Sequence, residues 1–298
     1  MSEIGVYRLN VGSCNGCDIE IVCALAERFG IGNLKARIVD EPEKANMLLV
    51  VGVVSAKMAG PIKEVYNKLR EPKAVIAVGT CALSSGIFQK SYSALEPTDK
   101  FIPVNLHVPG CPPSPQAIGE GVARTMDVKY RRWLAPKGFR GQPELDSEKC
   151  TGCGACEKAC PTSAIELADE GNKRTVKFMY DKCISCASCE EVCPEDAVRL
   201  AKKRHPSGPD RASMGVSAVE ELAGCPICGT FEVPAKQIRA LADRIIEAAK
   251  PYESFRKDIE RAAAACSRCR GKTANLEGAK ALLLKLEKSI IRAAPGSF

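Results

Sequence analysis

The sequence predicts an α/β fold: a parallel sheet with covering helices at the front, a small cysteine-rich repeat domain in the middle and a helical tail with a further cysteine site. Three observations predict it. Short apolar runs alternate with helical patterns over the first 130 residues. One twelve-residue cysteine pattern occurs twice in the middle. Two more cysteine pairs flank a helical stretch near the end. The expected boundaries are 1–135, 136–205 and 206–298.

The front strands are expected at "IGVYRLNV", "ARIV", "MLLVVGVV", "AVIAVGT" and "IPVNLHVP". Helical patterns separate or follow them at "DIEIVCALAERFG", "PIKEVYNKLR" and "SPQAIGEGVARTM". Short buried strands alternating with helices argue for a parallel sheet. Ser114 or Pro115 suits the start of the last helix, since proline fits a first helical turn.

The chain has 298 residues, 17 of them cysteine. Disulfides would need an oxidising compartment and an export signal. The opening "MSEIGVYRLNVGS" has no basic start, apolar signal core or twin arginine. The longest apolar stretch, Met47 to Ala56, is far short of the roughly 20 residues of a membrane span. A cytoplasmic chain whose cysteines bind metal is therefore expected. The formal charge of +7 counts those cysteines as neutral. Three cysteine-bound 4Fe–4S clusters would bring it to about +1, and a four-thiolate zinc site to about −1. No basic run is interleaved with aromatics, so no nucleic-acid partner is expected.

The repeat is offset by 33 residues. "CTGCGACEKACP" contains Cys150, Cys153, Cys156 and Cys160, and "CISCASCEEVCP" contains Cys183, Cys186, Cys189 and Cys193. Both match the C-x2-C-x2-C-x3-C-P run of bacterial two-cluster ferredoxins. Three close cysteines wrap one cubane, and the fourth lies beyond a helical turn and reaches the other. One 4Fe–4S cluster is expected on Cys150, Cys153, Cys156 and Cys193, and a second on Cys160, Cys183, Cys186 and Cys189. Small residues between the ligands let backbone N–H groups approach the sulfurs. A pair of zinc sites is the alternative, disfavoured by eight matched cysteines and both following prolines.

The front cysteines share one location. Cys14 and Cys17 follow the first strand, Cys81 follows "AVIAVGT" and Cys111 follows "IPVNLHVPG". All lie at carboxyl ends of strands, where open α/β sheets bind ligands. Together they form a third four-cysteine site, unlike a zinc ribbon of paired knuckles.

The motifs "CNGCDIE", "VGTCA" and "PGCPPSP", in this order, resemble the small subunit of nickel–iron hydrogenases. They also resemble the related cluster-bearing subunit of respiratory complex I. That subunit has two adjacent cysteines in the first motif. Here Asn15 and Gly16 separate them, as in hydrogenases, and the wording is most similar to the membrane-bound (group 4) enzymes. The resemblance covers about 130 residues. It implies a flavodoxin-like domain that holds the proximal 4Fe–4S cluster on Cys14, Cys17, Cys81 and Cys111. It also implies that Glu20 lies near that cluster, in proton transfer or large-subunit contact. An ordinary glutamate in a helix's first turn is the alternative. Cys23 is expected to be a buried apolar residue, and His107 structural.

A polar stretch, "KKRHPSGPDRASMG", reads as a linker. Beyond it, Cys225 and Cys228, then Cys266 and Cys269, form two CxxC pairs, a strong metal signal. Zinc, mononuclear iron and a cluster are open, with a structural tetrahedral zinc or iron site favoured. The pairs flank a helical pattern, so the metal is expected to clip two helix ends. The final "NLEGAKALLLKLEKSIIRAA" reads as an amphipathic helix. The tail more weakly resembles extensions of ferredoxin-like subunits in formate hydrogenlyase-type complexes.

The resemblance thus implies an oxidoreductase-complex subunit that relays electrons. The implied partners are a nickel–iron large subunit, membrane subunits that hold the chain at the inner membrane face, and a ferredoxin or sister iron–sulfur subunit. A complex I-like quinone or sulfur reductase subunit and a free-standing polyferredoxin are the alternatives.

Overall fold

The computed structural model describes residues 4–24, 36–126, 139–248 and 256–270. Strands β1 (Ile4–Asn10), β2 (Ala36–Ile38), β3 (Met47–Val51), β4 (Ala74–Val78) and β5 (Leu106–Val108) form one parallel sheet. Its order is β2-β1-β3-β4-β5, so strand order reverses between β1 and β3. In this doubly wound arrangement ligands sit at the carboxyl ends of the strands. Helices α1 (Gly16–Ala24), α2 (Pro61–Lys68), α3 (Thr80–Ser84) and α4 (Pro115–Thr125) follow β1, β3, β4 and β5.

The all-apolar β3 is buried along its whole length, which explains its central place. Its alternate residues serve two cores. Met47, Leu49 and Val51 join Ile21 of α1 and Ile118 and Val122 of α4. Leu48 and Val50 join Ile62 of α2. The Ser114 hydroxyl caps α4, accepting the Ala117 N–H at 3.3 Å, with Pro115 in the first turn. Helix α3 is absent from the pattern reading. It is one turn, too short for a 3.6-residue period to show.

The repeat is visible in the backbone. Helices α5 (Ala155–Ala159) and α6 (Ser188–Glu191) occupy equivalent places. Left-handed residues recur at the repeat offset: Gly152 and Ser185, Gly154 and Ala187, Ser163 and Asp196. Strand β6 (Pro143–Leu145) pairs antiparallel with β9 (Val198–Leu200). Strands β7 (Ile165–Glu170), β8 (Lys173–Met179), β10 (Gly215–Gly224) and β11 (Phe231–Pro234) form a sheet in the order β11-β10-β8-β7. The tail adds α7 (Ala235–Ala248), α8 (Arg256–Ala263) and α9 (Ser267–Arg270). The final amphipathic run lies outside the described residues. Among the described residues no helix is long and apolar enough to cross a membrane.

By contact density the chain divides into two compact units. One comprises Met1–Leu145, Ala155–Glu166 and Lys177–Val216; the other comprises Asp146–Gly154, Leu167–Val176 and Ser217–Phe298. Within the first, the polar stretch expected as a linker is a docked strap. Gly208 exchanges backbone hydrogen bonds with His107 of β5, at 2.8 and 3.2 Å. It thereby covers the edge strand's unpaired backbone. Arg204 pairs with Glu120. Arg211 donates to the Leu83 carbonyl and, at 3.0 Å, pairs with Asp99. His107 is structural in this setting: it is buried and its Nδ1 lies 3.1 Å from the Pro209 carbonyl.

His205 of the strap packs edge-on against Tyr180, ring centroids 5.5 Å apart. Burial holds its pKa down at about 4. The unfolded chain takes up this proton below about pH 6.5, whereas the folded chain stays neutral until about pH 4. His205 therefore leaves stability intact above pH 6.5 and erodes it as pH falls toward 4. The expected loss at pH 5 relative to pH 7 is about 2 kcal/mol, at about 1.4 kcal/mol per unit. His205→Phe should flatten this part of the melting-temperature profile.

Candidate metal centres

The first set lies at the carboxyl edge of the parallel sheet. Cys14 and Cys17 enter from the β1–α1 junction, Cys81 from α3 and Cys111 from the loop after β5. Their thiols are neighbours. Burial, then the charges of Cys81, Cys111, Cys14 and Asp18, push the Cys17 thiol well above its ordinary value. Burial, then Cys111 and Cys14, push Cys81 up to about 11. Desolvated thiols that repel one another as thiolates are a poor apoprotein arrangement. A cation among them reverses the sign of the interaction and deprotonates them. The donor set thus fits a cationic iron–sulfur core.

The backbone is shaped to the same end. Gly79, at φ +86°, lies where an added Cβ would be 2.5 Å from the Cys17 Sγ. No side chain fits there without displacing that sulfur. The Cys14–Cys17 loop is held by residues that motif reading passed over. Asp18, only 4% exposed, accepts from Ser13 Oγ at 2.7 Å and Asn10 Nδ2 at 3.2 Å, and pairs with Arg8 at 3.3 Å. Asn10 Oδ1 accepts the N–H groups of Gly12 and Ser13. The available signal was the aspartate directly after the second cysteine. Glu20 is half-buried on α1, and its carboxyl is raised by burial. Cys23 is half-buried, short of the full burial expected: it sits beside, not on, the inward Ile21–Ala24 face.

Cys160, Cys183, Cys186 and Cys189 line one cavity of the first unit. Burial, opposed by the Ser185 N–H and reinforced by Cys160 and Cys186, leaves Cys183 raised to about 11. Burial and then Cys183, Cys186, Cys156 and Cys160 raise Cys189 to about 12. The repeat extends to bonds at sulfur: Ala164 N–H donates to Cys160 Sγ and Ala197 N–H to Cys193 Sγ, both at 3.2 Å. Such N–H groups stabilise thiolate ligands. Of the other expected set, Cys156 and Cys193 belong to the first unit, and Cys150 and Cys153 to the second. Cys150 is buried, with its N–H bonded to the Asp146 carbonyl at 2.9 Å.

The tail set lies within the second unit. The sulfurs of Cys225, Cys228, Cys266 and Cys269 are all within 4.8 Å of one another. The expectation that a metal clips two helix ends is corrected here. Cys225 and Cys228 lie in the turn of the β10–β11 hairpin, and Cys266 and Cys269 at the start of α9. Strand β10 escaped pattern reading because Glu220 faces inward among apolar Ala218 and Leu222, held by Lys236 at 3.3 Å. The hairpin turn is a tight knuckle: the Gly229 N–H bonds the Cys225 carbonyl at 2.8 Å and the Cys225 N–H bonds the Thr230 carbonyl at 2.9 Å. The Cys266 N–H donates to Cys225 Sγ at 3.4 Å. Four sulfurs so close fit one tetrahedral ion.

Residues 14–125 match the family described as NADH ubiquinone oxidoreductase, 20 Kd subunit, and residues 149–215 match the 4Fe-4S dicluster domain. A probable membrane-bound hydrogenase subunit of Pyrococcus furiosus, mbhJ, is 42% identical over 122 residues, covering 41% of this chain and 73% of that one. The chain belongs to the 20 Kd subunit family. Formate hydrogenlyase subunit 7 of Escherichia coli K12 is 38% identical over 148 residues, covering 48% of this chain and 54% of its own length. An NADH-quinone oxidoreductase subunit of Flavobacterium psychrophilum is 43% identical over 113 residues, 38% of this chain and 62% of its own. The family match contains the four front cysteines and the dicluster match the eight repeat cysteines. This 20 Kd family member is thus an iron–sulfur protein, and its tail cysteines lie outside both matches.

Two outcomes follow from the geometry. If the front set holds a 4Fe–4S cluster, Gly79→Ala should release it, a loss of about four irons per chain by elemental analysis, with any iron on the repeat retained. If the tail set holds one tetrahedral ion, Cys266→Ser should remove it, about one ion per chain, and leave the iron–sulfur absorption unchanged.

Proposed function

We propose that this chain is the iron–sulfur electron-transfer subunit of a membrane-associated nickel–iron hydrogenase or formate hydrogenlyase-like complex. Three 4Fe–4S clusters would be held by Cys14, Cys17, Cys81 and Cys111; by Cys150, Cys153, Cys156 and Cys193; and by Cys160, Cys183, Cys186 and Cys189. Bound there, such clusters supply one-electron transfer at potentials tuned by hydrogen bonding and exposure. The tail cysteines would hold zinc or a single iron as a structural clip.

The observation that carries the reading is the front set itself. Its cysteines are split as Cys14-Asn15-Gly16-Cys17, and Cys14 and Cys111 reach the surface. On the adjoining helix α1, Ile19 and Val22 are 61% and 52% exposed. An apolar face beside a metal site at a sheet edge suits a partner subunit. Glu20 lies between these residues in sequence, in place to meet that partner. The partner would carry the nickel–iron centre, since all CxxC pairs of this chain are assigned. Membrane subunits would hold the complex at the cytoplasmic face of the membrane. A ferredoxin or sister iron–sulfur subunit would exchange electrons with the repeat domain.

The identity with the NADH-quinone oxidoreductase subunit favours a second reading, a quinone or sulfur reductase subunit whose partner lacks nickel. The native complex separates the two. The hydrogenase reading expects iron near twelve atoms per chain from three cubanes, about one nickel per complex, and dye reduction driven by H2. A nickel-free complex with a large subunit would establish the second reading. A stable chain with no partner would overturn both.

A further inference from the structure

We infer that Thr80 is a positioning residue that couples the front cysteine set to the second ferredoxin set, the one comprising Cys160, Cys183, Cys186 and Cys189. The inference rests on the iron–sulfur reading above. Thr80 precedes Cys81, opens α3 and is 1% exposed. Its hydroxyl lies 2.9 Å from the Cys183 carbonyl oxygen and 3.2 Å from that of Gly110, which precedes Cys111. The hydroxyl has one proton, and the Cys183 carbonyl is the nearer of its two acceptors. The proton therefore goes to Cys183.

A second contact repeats the arrangement one turn along. Ser84 lies four residues on, hence on the same face of α3. Its hydroxyl is 3.0 Å from the Asp181 carbonyl and 3.1 Å from the Thr80 carbonyl of its own helix, so its one proton is shared between the two. Helix α3, which carries Cys81, is thus docked onto the chain segment that leads into Cys183 by the Thr80 hydroxyl, with a shared bond from Ser84 beside it. Thr80 also ties down the Cys111 loop through its own N–H, which the Gly110 carbonyl accepts at 2.9 Å. One buried residue therefore fixes three ligand-bearing segments relative to one another.

This has a redox consequence. Between Cys81 and Cys183 the connection is covalent except for the single Thr80 hydrogen bond. Tunnelling decays less steeply along bonded paths than across gaps. The transfer served moves one electron, breaks no bond and needs no proton. On this geometry Cys160, Cys183, Cys186 and Cys189 exchange electrons directly with the front set.

Thr80→Val keeps the shape and removes the donor; Thr80→Ser keeps the donor and removes a methyl group. Both are compared in the purified native complex, by iron content and by electron paramagnetic resonance after full reduction and after flash reduction. The expected result for Thr80→Val is wild-type iron, a diminished spin–spin splitting between the two reduced centres, and loss of the fast phase of electron re-equilibration. Thr80→Ser should retain both signatures. A valine variant with lower thermal stability but unchanged splitting and re-equilibration overturns the inference, leaving Thr80 a packing residue. Loss of iron in the valine variant and equally in Thr80→Ala also overturns it, making the hydroxyl a requirement for assembly. A wild-type complex without 4Fe–4S signals would instead remove the reading on which the inference stands.

Discussion

Thiolates gathered within a few ångströms of one another repel unless a cation lies among them, and the structure depends on that constraint. In the tail four sulfurs share a sphere where each is within 4.8 Å of the rest. At the front, desolvation and the neighbouring sulfurs raise Cys17 and Cys81 together. The fold brings these groups together at a cost that a bound metal would offset. Metal affinity and folding would then be one equilibrium in these segments.

The parallel sheet solves a complementary problem. A fully buried β3 anchors the sheet edge from which β1, β4 and β5 each deliver cysteine-bearing segments. The loops are pinned by polar contacts that belong to the backbone or to short side chains: Asp18 with Ser13 and Asn10, and Thr80 with Gly110. Such contacts hold ligands in place more firmly than long flexible side chains, whose ordering entropy is larger. The strap from Arg204 to Arg211 completes the unit by covering the edge of β5.

Much of this was legible in the sequence. Each front strand lies inside an apolar run, and the offset of the repeat reappears in the left-handed pairs 152/185, 154/187 and 163/196. The elements that escaped have identifiable reasons. Helix α3 is a single turn. Strand β10 carries the inward Glu220, which breaks the alternation of apolar residues. The strap has the Pro, Gly and charge content of a linker, and nothing local reveals that its arginines find Glu120, Asp99 and the Leu83 carbonyl.

The sequence by itself determined the cysteine spacing on which any ligand chemistry rests. Spacing within C-x2-C units reflects how tightly a short chain must turn around an ion, a local property written in consecutive residues. It also determined the alternation of strands and helices, because hydrophobic period is local too. Only the tertiary structure decided which distant segments meet. The gathering of Cys81 and Cys111 beside Cys17 follows from strand order. The tail's attachment of a hairpin turn to a helix start, and the contact of Thr80 with Cys183 more than a hundred residues away, follow from packing. Strand order and packing minimise free energy over the whole chain, so no window of sequence contains them.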